Sequence, residues 1–246
     1  MTALAQSPGA MYGLATVAVL IVSYAAGSIP FAYLIVKAVT GEDITTHGTG
    51  NVGSMNVRRT TGSWGWFVGA VLGDGLKGLI PVLLAKAAMG GFGLLWLVTP
   101  VAASAGPFGY AGPARWFLLV PQAAVFGCVL GHNYSAWMAL VERRFCRTGK
   151  GLATGAGALL AYDWRYLLAA LVVALLVIAI TRYMLAGQVA AAFALPLSAL
   201  ALRSPDWPFA LVMGAVVYAA HHGRFVGLLQ GKEPKLYIND RMGPRG

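Results

Sequence analysis

The sequence predicts an all-α polytopic membrane protein, and three observations carry that prediction. First, 58% of the 246 residues are hydrophobic, and the mean hydropathy is +0.70. Second, only 11% of the residues are charged, whereas a soluble domain carries about 25%. So few charges cannot cover a surface that faces water. Third, apolar runs of about 20 residues, the length that crosses a bilayer as a helix, recur along the chain.

Seven apolar runs are interpreted as membrane helices, the fourth being short and rich in glycine and alanine. A further apolar stretch at 92–104 covers about 13 residues, which is too short to cross a bilayer. We therefore interpret it as a re-entrant or interfacial piece. The seven runs cover residues 15–39, 64–87, 117–139, 151–163, 164–183, 186–203 and 207–222.

The basic residues predict the orientation. With the N-terminus outside, 13 of the 18 lysines and arginines lie in or beside cytoplasmic segments, and four lie outside, as the positive-inside rule requires. A crossing at 92–104 would reverse this balance and is rejected. The C-terminus is then cytoplasmic, with a short tail at 232–246, and residues 1–246 form one membrane domain. The net charge of +10 therefore reflects topology, and nucleic acid is not an expected partner.

Three polar segments that contain glycine fall on the predicted cytoplasmic side. The first is HGTGNVGSMN at 47–56, followed by Arg59. Its glycines let backbone N–H groups converge on an anion, and Arg59 offers a planar guanidinium suited to phosphate. No carboxylate lies between Asp43 and Arg59 to neutralise these donors. These residues indicate an anion-binding loop, with an ordinary flexible connection between helices as the open alternative.

The second segment is centred on Gly149-Lys150-Gly151. It is not a P-loop, because that motif needs glycine at position 144 and a hydroxyl residue at 151, where this chain has Arg144 and Gly151. A helix that begins at Leu152 would still present its N-terminus and the Lys150 ammonium to an anion. A basic loop that only sets orientation is the alternative reading.

The third segment begins at His221, near the inner end of the last span. This histidine can act as a phosphate donor or a proton carrier, or it can simply lie at the membrane interface. A metal site is not expected, because the adjacent side chains of His221 and His222 diverge on a helix and no cysteine is near.

Further polar residues lie at membrane depth. Asp74 and Lys77, three apart on one face of the second span, are interpreted as a mutual ion pair that supports the polar site. His132, near the inner end of the third span, is a similar candidate. The chain has neither a His-x4-Asp pattern nor a G-x-S-x-G nucleophile elbow, so we expect neither chemistry.

A set of short motifs occurs in one order over nearly the whole chain. They are Gly27–Phe31 (GSIPF), Gly41–Ile44 (GEDI), Gly48–Gly53 (GTGNVG) with Asn56 and Arg59, Asp74–Gly78 (DGLKG), Gly131–Tyr134 (GHNY), Gly149–Thr154 (GKGLAT), Arg182-Tyr183, and His221 with Leu228–Glu233 (LLQGKE). Each motif is weakly specific, but the set resembles the bacterial membrane acyl-phosphate:glycerol-3-phosphate acyltransferases.

The resemblance implies transfer of a fatty acyl group from acyl phosphate to the 1-hydroxyl of glycerol 3-phosphate, giving lysophosphatidic acid and phosphate. It implies seven spans with the N-terminus outside, in agreement with the charges, in a bacterial inner membrane with the active site facing the cytoplasm. No cofactor, metal, acyl-CoA or acyl carrier protein is implied. The expected partners are the two phosphate substrates and membrane lipids, with a monomer as the working expectation.

The residues and the resemblance together give three groups of candidate site residues. The catalytic candidates are Thr49, Lys150 and His221. The supporting candidates are Asp74, Lys77 and His132. The substrate-binding candidates are Gly48, Gly50, Asn51, Gly53, Asn56, Arg59, Gly149, Gly151 and Arg224.

The chain also departs from the family pattern. Residues 90–115 resemble an insertion on the outer side. Several positions differ in residue type. Among them, Thr45 replaces an arginine, Met55 a threonine, Thr148 a glycine and Arg224 an asparagine, and Leu185 stands where serines are usual. These departures leave two alternatives open: a divergent relative that acylates another phosphorylated or polyol acceptor, and a non-catalytic lipid-binding or transport protein.

Overall fold

A computed structural model describes residues 8–89, 114–233 and 235, and within them the chain is helical without strands. One 3-10 turn (Ile44–Thr46) lies between the second and third helices. The α-helices are α1 (Pro8–Gly27), α2 (Phe31–Thr40), α3 (Ser54–Thr61), α4 (Trp64–Ala88), α5 (Ala114–Asn133), α6 (Ala136–Glu142), α7 (Leu152–Tyr162), α8 (Trp164–Thr181), α9 (Met184–Ala201) and α10 (Trp207–Leu229).

The predicted all-α membrane class is confirmed. Six helical segments in the described part of the chain are long and apolar enough to cross a bilayer: 11–40, 64–88, 118–142, 164–181, 184–201 and 207–229. The predicted fourth span corresponds to α7, which has only 11 residues and is about 17 Å long, against about 30 Å for the hydrocarbon core. The count of seven and the orientation stay predictions. The stretch at 92–104 and most of the expected insertion at 90–115 lie outside the described residues.

The chain divides into two compact units, Met1–Leu167 and Leu168–Gly246, and a single membrane domain stays a prediction. In the first unit, α1 packs along α5, and α4 packs against α5 and α7. The α4–α7 contact depends on glycine, because a Cβ at Gly78 would overlap the Thr154 carbonyl, and one at Gly157 would overlap that of Gly75. Small residues allow this close approach of helix backbones in membranes. In the second unit, α9 packs on α10.

The first predicted span differs from expectation because it consists of two helices. Pro30 has no backbone N–H and interrupts the helical hydrogen-bond ladder. Side chains reach the carbonyl oxygens at this break. The Ser135 hydroxyl donates to Ser28, and the Lys77 ammonium donates to Ile29 at 2.7 Å. The break thus supplies acceptors for buried polar groups at a depth where water is scarce.

The last helix is longer than predicted. The apolar run predicts that this helix ends at residue 222, whereas α10 continues to Leu229. Gly223 does not end the helix, because a single interior glycine costs only about 1 kcal/mol. The chain leaves the helix at Gly231, which has φ +70°. His221 and Arg224 therefore lie within a helix rather than at its end.

Candidate active site

The loop between α2 and α3, residues 41–53, is called the glycine loop, and it is folded around one buried side chain. Asn56 is 1% exposed. Its amide nitrogen donates to the carbonyl oxygens of Ile44 at 3.0 Å and His47 at 2.9 Å, and its oxygen accepts from the backbone N–H of Thr49 at 3.2 Å. All three hydrogen bonds join the Asn56 side chain to backbone groups of the loop. Asn56, expected to bind substrate, is therefore engaged in shaping the loop.

The glycine loop also has hydrogen-bond donors that are not used to hold its own shape. Gly48 and Gly50 have φ +57° and +68°, a conformation that favours glycine, and they turn the backbone on both sides of Thr49. The Thr49 side chain is exposed and that of Asn51 is half-buried. The backbone N–H groups of Gly48 and Asn51 make no hydrogen bond to the described residues. This arrangement is suited to an anion.

The two adjacent arginines of α3 have different environments. The Arg58 guanidinium lies 4.9 Å from the centre of the Trp64 ring, a cation–π contact. Arg59 is exposed, and its Cδ would lie 3.5 Å from a Cβ placed at Gly48, so its side chain runs beside the glycine loop. No described carboxylate lies within 4 Å of its charged group. Arg59 is thus the arginine placed for a ligand.

The loop between α6 and α7, residues 143–151, is called the lysine loop, and it meets the glycine loop directly. The backbone N–H of Val52 donates to the carbonyl oxygen of Thr148 at 2.8 Å. Two residues later, Lys150 is half-buried, and Gly151, with φ +72°, is the N-cap of α7. The structure therefore brings together two predicted phosphate-binding segments that are about 100 residues apart in the sequence.

A buried polar cluster lies behind the lysine loop. A Cβ at Gly149 would overlap the His132 ring, so this glycine is required for close packing. His132 Nδ1 lies 3.6 Å from Asp74 Oδ1, and that oxygen pairs with Lys77 Nζ at 2.8 Å. The predicted Asp74–Lys77 ion pair is confirmed. Because Lys77 also donates to the Ile29 carbonyl, the cluster joins the α1–α2 break, α4, α5 and the lysine loop.

The remaining candidates lie on α10 in the second unit. His221 is 1% exposed, and its Nδ1 lies 2.7 Å from the Val217 carbonyl. Since a carbonyl only accepts, Nδ1 carries a proton. The Arg224 guanidinium pairs with both oxygens of Glu233. That pair was not expected from the sequence, and it would have to open for Arg224 to bind phosphate.

Three other residues singled out in the sequence are Gly53, Leu185 and Thr45. Gly53 is the N-cap of α3, and Leu185 is a buried apolar residue of α9. Thr45, which replaces an arginine of the family pattern, donates through its hydroxyl to Asp43 at 2.7 Å. Within the described ranges, no group of three or more His, Cys, Asp and Glu side chains could hold a metal ion.

The sequence identifies Thr148 only as a departure from the family pattern, although this residue lies where the glycine loop and the lysine loop meet. Its hydroxyl is 3.0 Å from the His132 carbonyl oxygen, to which it donates. The signal that could have identified it is a hydroxyl residue directly before Gly149-Lys150, because small hydroxyl side chains often satisfy nearby backbone groups at helix ends.

The chain is similar to known proteins over most of its length. The model of the glycerol-3-phosphate acyltransferase family matches residues 17–231. Glycerol-3-phosphate acyltransferase of Thermosynechococcus vestitus is 36% identical over 219 residues, which cover 88% of this chain and 92% of that protein. The enzyme of the same name from Gluconobacter oxydans is 32% identical over 224 residues, covering 89% of this chain and 92% of that protein.

Two solved structures are also similar. Both are crystal structures of PlsY (YgiH), described as an integral membrane glycerol 3-phosphate acyltransferase. The glycerol 3-phosphate form has a TM-score of 0.70 and 26% identity, and covers 90% of this chain and 96% of that chain. The lysophosphatidic acid form has a TM-score of 0.68 and 25% identity, with 90% and 95% covered.

Proposed function

This chain belongs to the glycerol-3-phosphate acyltransferase family of integral membrane acyltransferases, and we propose that its acyl donor is an acyl phosphate. The 1-hydroxyl oxygen of glycerol 3-phosphate attacks the acyl carbonyl carbon. An ester bond forms, the bond between the acyl carbon and the phosphate oxygen breaks, and inorganic phosphate leaves. The hydroxyl proton passes to a phosphate oxygen, and the lipid product is lysophosphatidic acid.

The observation that carries this proposal is the contact between the glycine loop and the lysine loop at Val52 and Thr148. Both proposed substrates contain a phosphate group. Backbone N–H groups, the Arg59 guanidinium and the Lys150 ammonium are the donors that phosphate oxygens prefer. The PlsY forms with glycerol 3-phosphate and lysophosphatidic acid support the acceptor and the product.

Each loop has a distinct part in the proposed reaction. Thr49, Asn51 and Arg59 would hold one phosphate against the glycine loop. Lys150, at the N-terminal end of α7, would stabilise the negative charge on the leaving phosphate. Fixed donors aimed at developing charge are often the largest contribution to such catalysis, and direct attack by the hydroxyl requires no protein nucleophile.

The proton acceptor is proposed to be a phosphate oxygen. The carboxylates of the glycine loop are already engaged, since Glu42 lies 3.1 Å from His47 and Asp43 accepts from the Thr45 hydroxyl at 2.7 Å. A role for His221 in the reaction stays a prediction, and His221→Gln tests it separately. We also propose that the site faces the cytoplasm of a bacterial inner membrane and that the protein acts as a monomer.

The deciding experiment supplies purified protein with palmitoyl phosphate and glycerol 3-phosphate. Phosphate release and the lipid product are followed together, with palmitoyl-CoA as the alternative donor. Wild-type protein should form lysophosphatidic acid from palmitoyl phosphate only, and Lys150→Ala should reduce turnover by about a hundredfold or more. The matched control is Lys37→Ala, because Lys37 is exposed and donates to the Gly41 carbonyl within its own helix cap.

Three results would contradict the proposal. Turnover with palmitoyl-CoA but not with palmitoyl phosphate would overturn the donor. Acylation of other phosphorylated or polyol acceptors, with none of glycerol 3-phosphate, would overturn the acceptor. A Lys150→Ala protein as active as Lys37→Ala would remove the lysine loop from the mechanism.

A further inference from the structure

We propose that Thr148 is a positioning residue that fixes the lysine loop against the glycine loop and thereby sets the place of Lys150. The inference deepens the proposed function, on which its kinetic test rests. Thr148 is buried at 5% exposure and lies two residues before Lys150 in a segment with no regular secondary structure.

Thr148 bonds to three separate parts of the first unit. Its hydroxyl donates to the carbonyl oxygen of His132 at 3.0 Å and accepts from the backbone N–H of Ser135 at 3.4 Å. Its own backbone N–H donates to the Asn133 carbonyl at 2.8 Å, and its carbonyl accepts from Val52 at 2.8 Å. The end of α5, the N-cap of α6 and the glycine loop therefore all meet at one residue.

These bonds satisfy groups that would otherwise be unpaired. The last carbonyl groups of a helix have no partner within the helix, and those of His132 and Asn133 end α5. A buried polar group without a partner is costly, so the Thr148 hydroxyl favours one arrangement of the lysine loop over others. The backbone bond to Val52 then transmits that arrangement to the glycine loop.

The chain between Thr148 and Lys150 has little freedom to compensate. A Cβ at Gly149 would overlap the His132 ring, so the backbone lies directly on that ring. Gly151 begins α7 with φ +72°, so the segment is also fixed on its far side. Two residues span at most about 7 Å. A shift at Thr148 should therefore displace the backbone of Lys150 relative to the glycine loop.

The test compares Thr148→Val, which keeps the side-chain shape and removes the hydroxyl, with Thr148→Ser, which keeps the hydroxyl. Thr61→Val is the matched control, because the Thr61 hydroxyl also makes two bonds, donating to Val57 at 2.8 Å and accepting from the Ser63 N–H at 3.2 Å, and neither bond reaches one of the two loops. Two quantities are measured: kcat/KM for both substrates, and amide hydrogen exchange in peptides covering the glycine loop. The second quantity does not depend on turnover.

We expect kcat/KM of Thr148→Val to fall by about tenfold or more, since misplacement by about 1 Å can cost a hundredfold. Thr148→Ser should recover most of the loss, and Thr61→Val should stay near wild type. Exchange in the glycine loop should be faster in Thr148→Val, although the substitution lies in the other loop. Wild-type kcat/KM or wild-type exchange in folded Thr148→Val would overturn the inference.

Two further outcomes are distinguishable. If wild-type protein transfers no acyl group, the proposed function has failed, and the exchange rates alone decide the role of Thr148. If Thr148→Val does not fold, Thr148→Ala replaces it, because the smaller side chain leaves room for a water molecule to bond to the His132 carbonyl. The same two outcomes in Thr148→Ala then support or overturn the inference.

Discussion

The glycine loop and the lysine loop meet at the hydrogen bond between Val52 and Thr148, yet they are organised in different ways. The glycine loop is held from within its own stretch of sequence, because Asn56 bonds to backbone groups at most 12 residues away. The lysine loop is held from outside, by the end of α5 through Thr148 and by the His132 ring against Gly149. The glycine loop is therefore shaped by contacts within its own stretch of sequence, whereas the lysine loop is shaped by contacts with distant parts of the chain.

This difference separates the effects of substitutions. A change inside the glycine loop should disturb that loop while leaving the helices in place. A change in the cluster behind the lysine loop should disturb both stability and the site, because Asp74, Lys77 and His132 connect α4 and α5 with the break between α1 and α2. Lys77→Met, Gly48→Ala and Arg59→Gln test that separation.

Lys77→Met should have the largest effect, because it leaves the Asp74 carboxylate buried without its cation. Breaking a buried ion pair in this way costs about 3–5 kcal/mol. We expect a large loss of thermal stability in detergent, and amide exchange that rises more in the lysine loop than in the glycine loop. The measurements are a thermal unfolding curve and exchange mass spectrometry.

Asp163→Asn is the matched control for Lys77→Met. Asp163 is also buried and ionic, but its carboxylate accepts from Arg165, two residues away, at 2.7 Å from Nη2, and it caps the end of α7 opposite to the lysine loop. This variant should lose stability and keep wild-type exchange in the lysine loop. Equal exchange in the lysine loop of both variants would show that the Asp74–Lys77 pair does not support that loop.

Gly48→Ala should have an intermediate effect, confined to the glycine loop. The residue has φ +57°, and a Cβ would overlap the Asn56 amide oxygen, so Asn56 could no longer hold the loop. We expect kcat/KM to fall by about a hundredfold, a size typical of misplaced binding groups. Steady-state kinetics measure this loss.

Gly62→Ala separates the two causes in Gly48→Ala. Gly62 also has positive φ, +72°, but nothing lies within 4 Å of its Cβ position. Both alanines meet the same backbone strain, about 1–2 kcal/mol, and only Gly48→Ala disturbs Asn56. If Gly62→Ala loses as much activity, strain rather than the Asn56 contact explains the effect.

Arg59→Gln should have the smallest of these effects. Loss of a charge-assisted hydrogen bond to phosphate corresponds to about 1.5–3 kcal/mol, and we expect the KM for glycerol 3-phosphate to rise by about tenfold or more. Arg58→Gln should instead lower the melting temperature slightly with an unchanged KM, since Arg58 packs on Trp64. A raised KM in Arg58→Gln and a lowered melting temperature with unchanged KM in Arg59→Gln would show that the roles of the two arginines are exchanged.

The sequence predicted those features that depend on local pattern. The apolar runs predicted the long helices to within a few residues at most ends, and the spacing of Asp74 and Lys77 predicted their ion pair. The glycines at 48 and 50 predicted a turned, donor-rich loop, and both have positive φ. In each case the physical cause lies within a few neighbouring residues.

The features that the sequence did not predict depend on contacts between distant segments. Asn56 resembles its neighbours as a polar donor, and only the folded loop shows that its amide is occupied by backbone. The contact between Val52 and Thr148 has no local signal. The Arg224–Glu233 pair forms because the chain turns at Gly231 after the end of α10, which brings Glu233 back to Arg224.

The most direct test of a single phosphate site formed by both loops is a double-mutant cycle between Asn56→Ala and Thr148→Val, with kcat/KM for glycerol 3-phosphate as the measured quantity. Each substitution removes the device that organises one loop. If the loops form one phosphate site, the two losses should be strongly non-additive, because residues that act as a unit lose little more once one has failed. Losses that multiply independently, with both proteins folded, would show two separate sites and contradict the account.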